Sequence, residues 1–98
     1  MTNYVTYMSS NTPVYAIVIW TNLETAYQTR TVCYELADLE NCIALHQLDE
    51  GLHSKSNVLM NIFDSNNLPL NADDSVNEKE FWRQVEVIEQ QVLAQQVA

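Results

Sequence analysis

The chain has 98 residues, 47% of them hydrophobic, with one glycine, two prolines, two cysteines and a formal net charge of −9. That length supports a single core and a single domain, residues 1–98, and the composition excludes both a disordered chain and a disulfide framework. Four Lys and Arg against thirteen Asp and Glu repel nucleic acid and anionic membrane and favour a basic partner, so no direct nucleic-acid binding is expected.

Met1–Leu23 carries no charged side chain, so the basic segment that opens a secretory signal is missing. The longest apolar run, Val14–Trp20, has seven residues, far short of the roughly 20 that a membrane span needs. A cytoplasmic protein with reduced thiols is the expectation.

Thr2–Met8 is rich in β-branched and aromatic residues and alternates, which predicts a half-buried or edge strand. Ser9–Pro13 reads as a turn, with Pro13 suited to the first residue of the next strand. Val14–Trp20 (VYAIVIW) is apolar on both faces, the pattern of a central strand with material packed on each side. Thr21–Glu24 fits either a capping box or a hairpin loop. The run Tyr27–Tyr34, with two threonines, a valine and two tyrosines, favours a third strand and hence the hairpin.

Glu35–Glu50 (ELADLENCIALHQLDE) reads as a helix, because Leu36, Leu39, Ile43 and Leu48 recur at helical spacing. Gly51 follows, where a left-handed C′ residue is wanted. Ser54 or Ser56 can cap a short second helix through Val58, Leu59, Ile62 and Phe63. Asp64–Asp74 is a loop by composition. Ser75–Glu78 has the form of a capping box with Ser75 as N-cap, and Phe81, Val85, Ile88 and Val92 then form one apolar stripe of a final helix. Its glutamine-rich end is expected to fray. The layout is α+β: a three-stranded antiparallel sheet (βββ) packed on one face by about three helices (ααα).

No enzymatic signature is present, and no cofactor is expected. Cys33, Cys42, His46 and His53 supply the four ligands that zinc needs, but the cysteines lack the short paired spacing of structural zinc sites. Small hydrophobic cysteines and surface histidines are the simpler reading, without a metal. A Cys42–His46 nucleophile pair lacks the glycine-rich backbone that usually builds an oxyanion site. Trp20 and Trp82 read as core anchors.

What stands out is unneutralised acid. Residues 35–50 hold five carboxylates and no Lys or Arg, and residues 1–75 hold nine acids against Arg30 and Lys55. At about 100° per residue, Glu35, Asp38, Cys42, His46 and Asp49 fall on one helical strip. Glu35, Asp38, Asp49 and Glu50 therefore form a candidate first row of partner-binding residues, with Glu24, Asp73 and Asp74 as a second.

In size, charge and layout, through ELADLENCIALHQLDE and the NADD of 71–74, the chain resembles small acidic phage inhibitors, including anti-CRISPR proteins that act as DNA mimics. The resemblance implies a stoichiometric inhibitor blocking the nucleic-acid-binding cleft of a basic protein such as a CRISPR surveillance complex. The residues alone leave two other readings. One is an acidic interaction module of another kind: an immunity protein, an accessory subunit or a mobile-element cassette product. The other is a small-molecule-binding domain using the gap between sheet and helices.

Overall fold

The computed structural model describes residues 5, 6 and 13–96. The order is β1 (Val5–Thr6), β2 (Pro13–Val14), β3 (Ala16–Asn22), β4 (Gln28–Cys33), α1 (Leu36–Gln47), β5 (Val58–Asp64) and α2 (Glu78–Gln96). β3, β4 and β5 form one antiparallel sheet in the order β4-β3-β5, and β1 pairs with β2 in a separate two-stranded hairpin. The class is α+β, with a three-stranded antiparallel sheet and two helices.

The expected central strand is central. Ala16–Thr21 is buried throughout, because both faces of β3 are covered. Ile17 and Ile19 pack with Phe63, Phe81, Val85 and Ile88 of one core, on the α2 side. Ala16, Val18 and Trp20 pack with Cys33, Leu39, Cys42 and Val58 of a second core, on the α1 side. One helix thus lies on each face. This corrects the expectation of about three helices on a single face: an apolar run without alternation needs cover on both sides.

Two further assignments are corrected. Val58–Phe63 is not a capped helix but part of β5, paired with β3 from Asn22↔Val58 to Ala16↔Asp64. Seven residues are few for a stable helix, and the β-branched and aromatic members find cross-strand partners instead. β5 therefore supplies the third strand, the place expected for Thr2–Met8. Of that stretch Val5–Thr6 belongs to the small hairpin, while the rest, like the turn at residues 9–12, lies outside the described residues.

The hairpin reading of Thr21–Tyr34 holds. Asn22 Oδ1 accepts the backbone N–H groups of Glu24 and Thr25 at 2.8 Å each, turning β3 into β4. The buried stripe of α2 is the expected one, Phe81, Val85, Ile88 and Val92, each side chain contributing about 1.5–3 kcal/mol by leaving water. Its N-terminus is held by Asn77 rather than Ser75: Asn77 Oδ1 accepts Glu80 N–H at 3.1 Å. The helix runs through Gln96, whose Nε2 donates to Leu23 O at 2.9 Å. Gly51 does have a positive φ of 91°, but it lies in the loop beyond Leu48, the C-cap of α1.

The two edges of the sheet differ. Along the outer edge of β5, His46 Nε2 donates to Val58 O (3.1 Å), Asn67 Nδ2 donates to Ile62 O (2.8 Å), and Asn67 Oδ1 accepts Asp64 N–H (2.6 Å). Antiparallel alternation then turns the peptide groups of Leu59, Asn61 and Phe63 toward β3. Leu59→Pro is accordingly expected to cost at least about 1 kcal/mol more than Met60→Pro in urea unfolding, since only the former removes a ladder donor.

Candidate functional site

The acidic strip predicted on α1 faces inward. Cys42, at its middle, is buried with its Sγ 3.9 Å from Cys33 Sγ, and His46 is half-buried beside Trp20. Asp38 is half-buried as well, and its Oδ2 accepts the backbone N–H groups of Tyr34 (2.9 Å) and Glu35 (3.3 Å). That carboxylate closes the first turn of α1, where a negative charge also meets the positive end of the helix dipole. Asp38→Ala is expected to cost about 1 kcal/mol on thermal unfolding, and Asp49→Ala to stay within about 0.5 kcal/mol.

The remaining candidate acids are exposed, but the fold divides them. Glu35 follows β4 at the end of the sheet formed by Ala16, Cys33 and Asp64, and the loop bearing Asp73 and Asp74 leaves β5 at that same end. Glu24 lies in the β3–β4 turn at the opposite end, next to the segment joining α1 to β5, where Leu23 N–H donates to Asn57 O at 2.9 Å. Asp49 and Glu50 belong to that segment. Six strand steps, roughly 20 Å, separate the two ends. Asp73 also serves its own loop: its carboxylate accepts Ser75 N–H and Oγ–H, which lowers its pKa.

The cysteines and histidines are equally committed to packing. Burial, and next the Cys42 thiol, push the Cys33 pKa up to about 12, so the Cys33 sulfur stays protonated near neutral pH. His53 packs edge-on to Trp20, with ring centroids 4.7 Å apart, and Trp20 Nε1 donates to Thr31 Oγ1 at 2.9 Å. Among the described residues no three His, Cys, Asp or Glu side chains converge as metal ligands would. No helix among the described residues is long and apolar enough to cross a membrane.

Turning the polar strip inward leaves exposed leucines and alanines outside, with Glu40, Asn41 and Gln47 among them. Ala37, Ala44 and Leu48 run down the solvent side of α1, flanked by Leu36, which is 52% exposed, and Leu45. Only Leu39 and Cys42 of this helix are buried. Glu40 is the one charged residue on that outer side, and Asp49 and Glu50 follow at its end. The helical spacing of Leu36, Leu39, Ile43 and Leu48 does not reveal this surface, because it leaves open which side of the helix is buried. Leu45, on a different side of the helical wheel from Leu36 and Leu39, is the signal that two apolar faces compete.

A concave feature lies between β4 and α2, a groove of about 610 Å³ lined by Tyr27, Arg30, Trp82, Val85, Glu86 and Glu89 among others. Trp82 is no core anchor: it is 41% exposed, and the Arg30 guanidinium carbon sits 5.6 Å from its ring centroid. No protein-family model matches the chain, and neither a curated protein nor a solved structure matches it.

Proposed function

We propose that this chain is a stoichiometric, non-catalytic binding protein of the cytoplasm that docks a basic protein partner through the outer side of α1. The observation that carries the reading is the exposed leucine and alanine surface of α1, an arrangement that marks interaction sites rather than solvated faces. The partner presents apolar side chains to this surface and Lys or Arg around it, opposite Glu40, Asp49 and Glu50. A second copy of the chain is the poorer fit, because two bodies of net charge −9 repel each other.

A narrower form makes the partner a nucleic-acid-binding protein, a CRISPR surveillance complex for instance, whose cleft the acids block as a DNA mimic. The shortage of bases supports it. Duplex DNA shows a charge every ~1.7 Å of axis, whereas the acids here form two groups at opposite ends of the sheet, so such a target grips a few separated phosphates.

Affinity capture from host extract at rising salt tests both forms. An apolar dock with an acidic rim keeps its partner at 0.5 M salt with a modest loss, on the order of tenfold, since burial is unscreened. A mimic gripped by charge alone is released, and the partner recovered at low salt is then a nucleic-acid enzyme. A partner lost at moderate salt that has no nucleic-acid business overturns both.

A further inference from the structure

The two thiols meet at the joint between α1 and the sheet. Cys33 is the last residue of β4, paired with Ala16 of the central strand, and its carbonyl accepts Tyr15 N–H at 2.8 Å. Cys42 rides on α1, nine positions further along the chain, and its Sγ stands 3.9 Å from Cys33 Sγ. Both thiols are free and buried, in the core that holds Ala16, Val18, Trp20 and Leu39. The sulfurs of a disulfide lie ~2.05 Å apart. Side-chain rotation and a small approach of α1 are enough to close the remaining distance.

Oxidation also needs access, and the fold provides it through α1. This helix buries only Leu39 and Cys42, where α2 buries four side chains. Leu36, Leu45 and Leu48 stay exposed. A helix of 12 residues has little stability of its own, and an element with few buried side chains opens before the whole domain unfolds. Cys33 is kept protonated by burial first, then by the Cys42 thiol, then by the Asp38 carboxylate. Cys42 and Asp38 both belong to α1, and the helix covers Cys33. Lifting α1 removes all three influences together, while the pairing with β3 holds Cys33 in place. The closed pair is slow to react, and the opened pair has two accessible thiols.

We infer that Cys33 and Cys42 form a thiol–disulfide switch, in which a hydroperoxide oxidises the pair and the new bond staples α1 to β4. Cys42 reacts first, because it sits on the element that moves. Its thiolate sulfur attacks one oxygen of hydrogen peroxide, the O–O bond breaks, and the departing hydroxide is protonated to water. Cys33 then attacks the sulfur of the Cys42 sulfenic acid. The S–S bond forms, the S–O bond breaks, and hydroxide leaves with the Cys33 proton as a second water. Two thiols and one peroxide give one disulfide and two waters. A single reversible bond of this kind is the form disulfides take in reducing compartments. The bond fixes α1 by its packed side and leaves the outer leucines unchanged. It sets how firmly the helix is held, whatever the helix docks, and does not rest on the reading above.

Treatment of the intact reduced protein with millimolar hydrogen peroxide, followed by denaturation and alkylation with N-ethylmaleimide, tests the switch. The expected product is a monomer on a non-reducing gel, takes up no maleimide, and has lost two hydrogens from its cysteine peptides. Cleavage after Glu35 and Glu40 leaves Cys33 and Cys42 on separate peptides joined only by the bond. The melting temperature is expected to rise by something on the order of 10 °C, since the closed loop constrains the unfolded chain, and to return on reduction with dithiothreitol. Cys33→Ala is expected to accumulate a sulfenic acid at Cys42 that dimedone traps, whereas Cys42→Ala leaves Cys33 unlabelled. The wild-type mass and melting temperature decide the matter even where a variant does not fold. The switch is overturned if oxidised wild type still takes up two maleimides, if the bond joins two chains, or if bond formation leaves the melting temperature unchanged or lower. Dimedone capture by Cys42→Ala but not by Cys33→Ala overturns the order of attack and with it the role given to the opening of α1.

Discussion

Phe81→Ala is expected to remove about 3–5 kcal/mol of stability, out of a total of about 5–15 for a domain of this size. Phe81 is fully buried and holds the α2 core together: its ring meets Phe63 of β5 edge-on at 5.2 Å and Trp82 at 5.0 Å. Truncation leaves a cavity between helix and sheet that the rigid β3–β5 pairing cannot collapse into. Each kcal/mol shifts the melting temperature of such a domain by ~4–8 °C, so a fall of more than about 10 °C is the expected reading in a thermal melt followed by circular dichroism. Val87→Ala, on the exposed side of the same helix, is expected to stay within about 0.5 kcal/mol. A loss below about 1 kcal/mol for Phe81→Ala would show that α2 is not a principal cover of the sheet.

How far the sequence reveals this fold depends on how much each segment settles locally. Val14–Trp20 and the α2 stripe are legible because their patterns admit one environment each: a run apolar on both sides has to be central, and a single stripe has to be a helix seam. β5 is not legible by the same means. Asn61 breaks the strand pattern at its centre, placing a buried Oδ1 without a hydrogen-bond partner beside Ile19 on the α2 side. That leaves Val58, Ile62 and Phe63 at spacings a helix also satisfies, and only the pairing with β3, 36 residues away at Asn22↔Val58 and 48 at Ala16↔Asp64, is the non-local information that local pattern lacks.

The candidate site was legible in composition but not in placement. α1 has apolar residues on more than one side, so the sheet could take either the leucine side or the strip through Cys42. The close fit of Cys42 against Cys33 and the bond from His46 to Val58 O go with the second choice. Cysteine is among the side chains most often buried, and weighting Cys42 above Leu36 and Leu48 would have turned the helix correctly. Asp38 then falls at the helix start, where its carboxylate is needed by the backbone. The groove was out of reach, because Tyr27, Arg30 and Trp82 come together only when α2 returns along the sheet.

Leu36→Glu combined with Leu45→Glu is expected to weaken partner binding by roughly 30-fold or more while leaving the melting temperature unchanged within about 2 °C, since loss of a docking anchor costs about 2 kcal/mol or more and exposed substitutions cost little. Both leucines are exposed, so the added carboxylates meet water in the free protein and are desolvated only in the complex. The substitutions add negative charge to an already acidic surface, which makes the outcome decisive between the two forms of the proposal. A partner held by an apolar dock loses affinity, because a buried, unpaired carboxylate is far costlier than a lost contact. A partner that grips charge alone binds the variant better, and most clearly so at low salt. Titration of the captured partner with wild type and variant at two salt concentrations reads the difference. Equal affinity at both salts would move the binding surface away from α1 altogether.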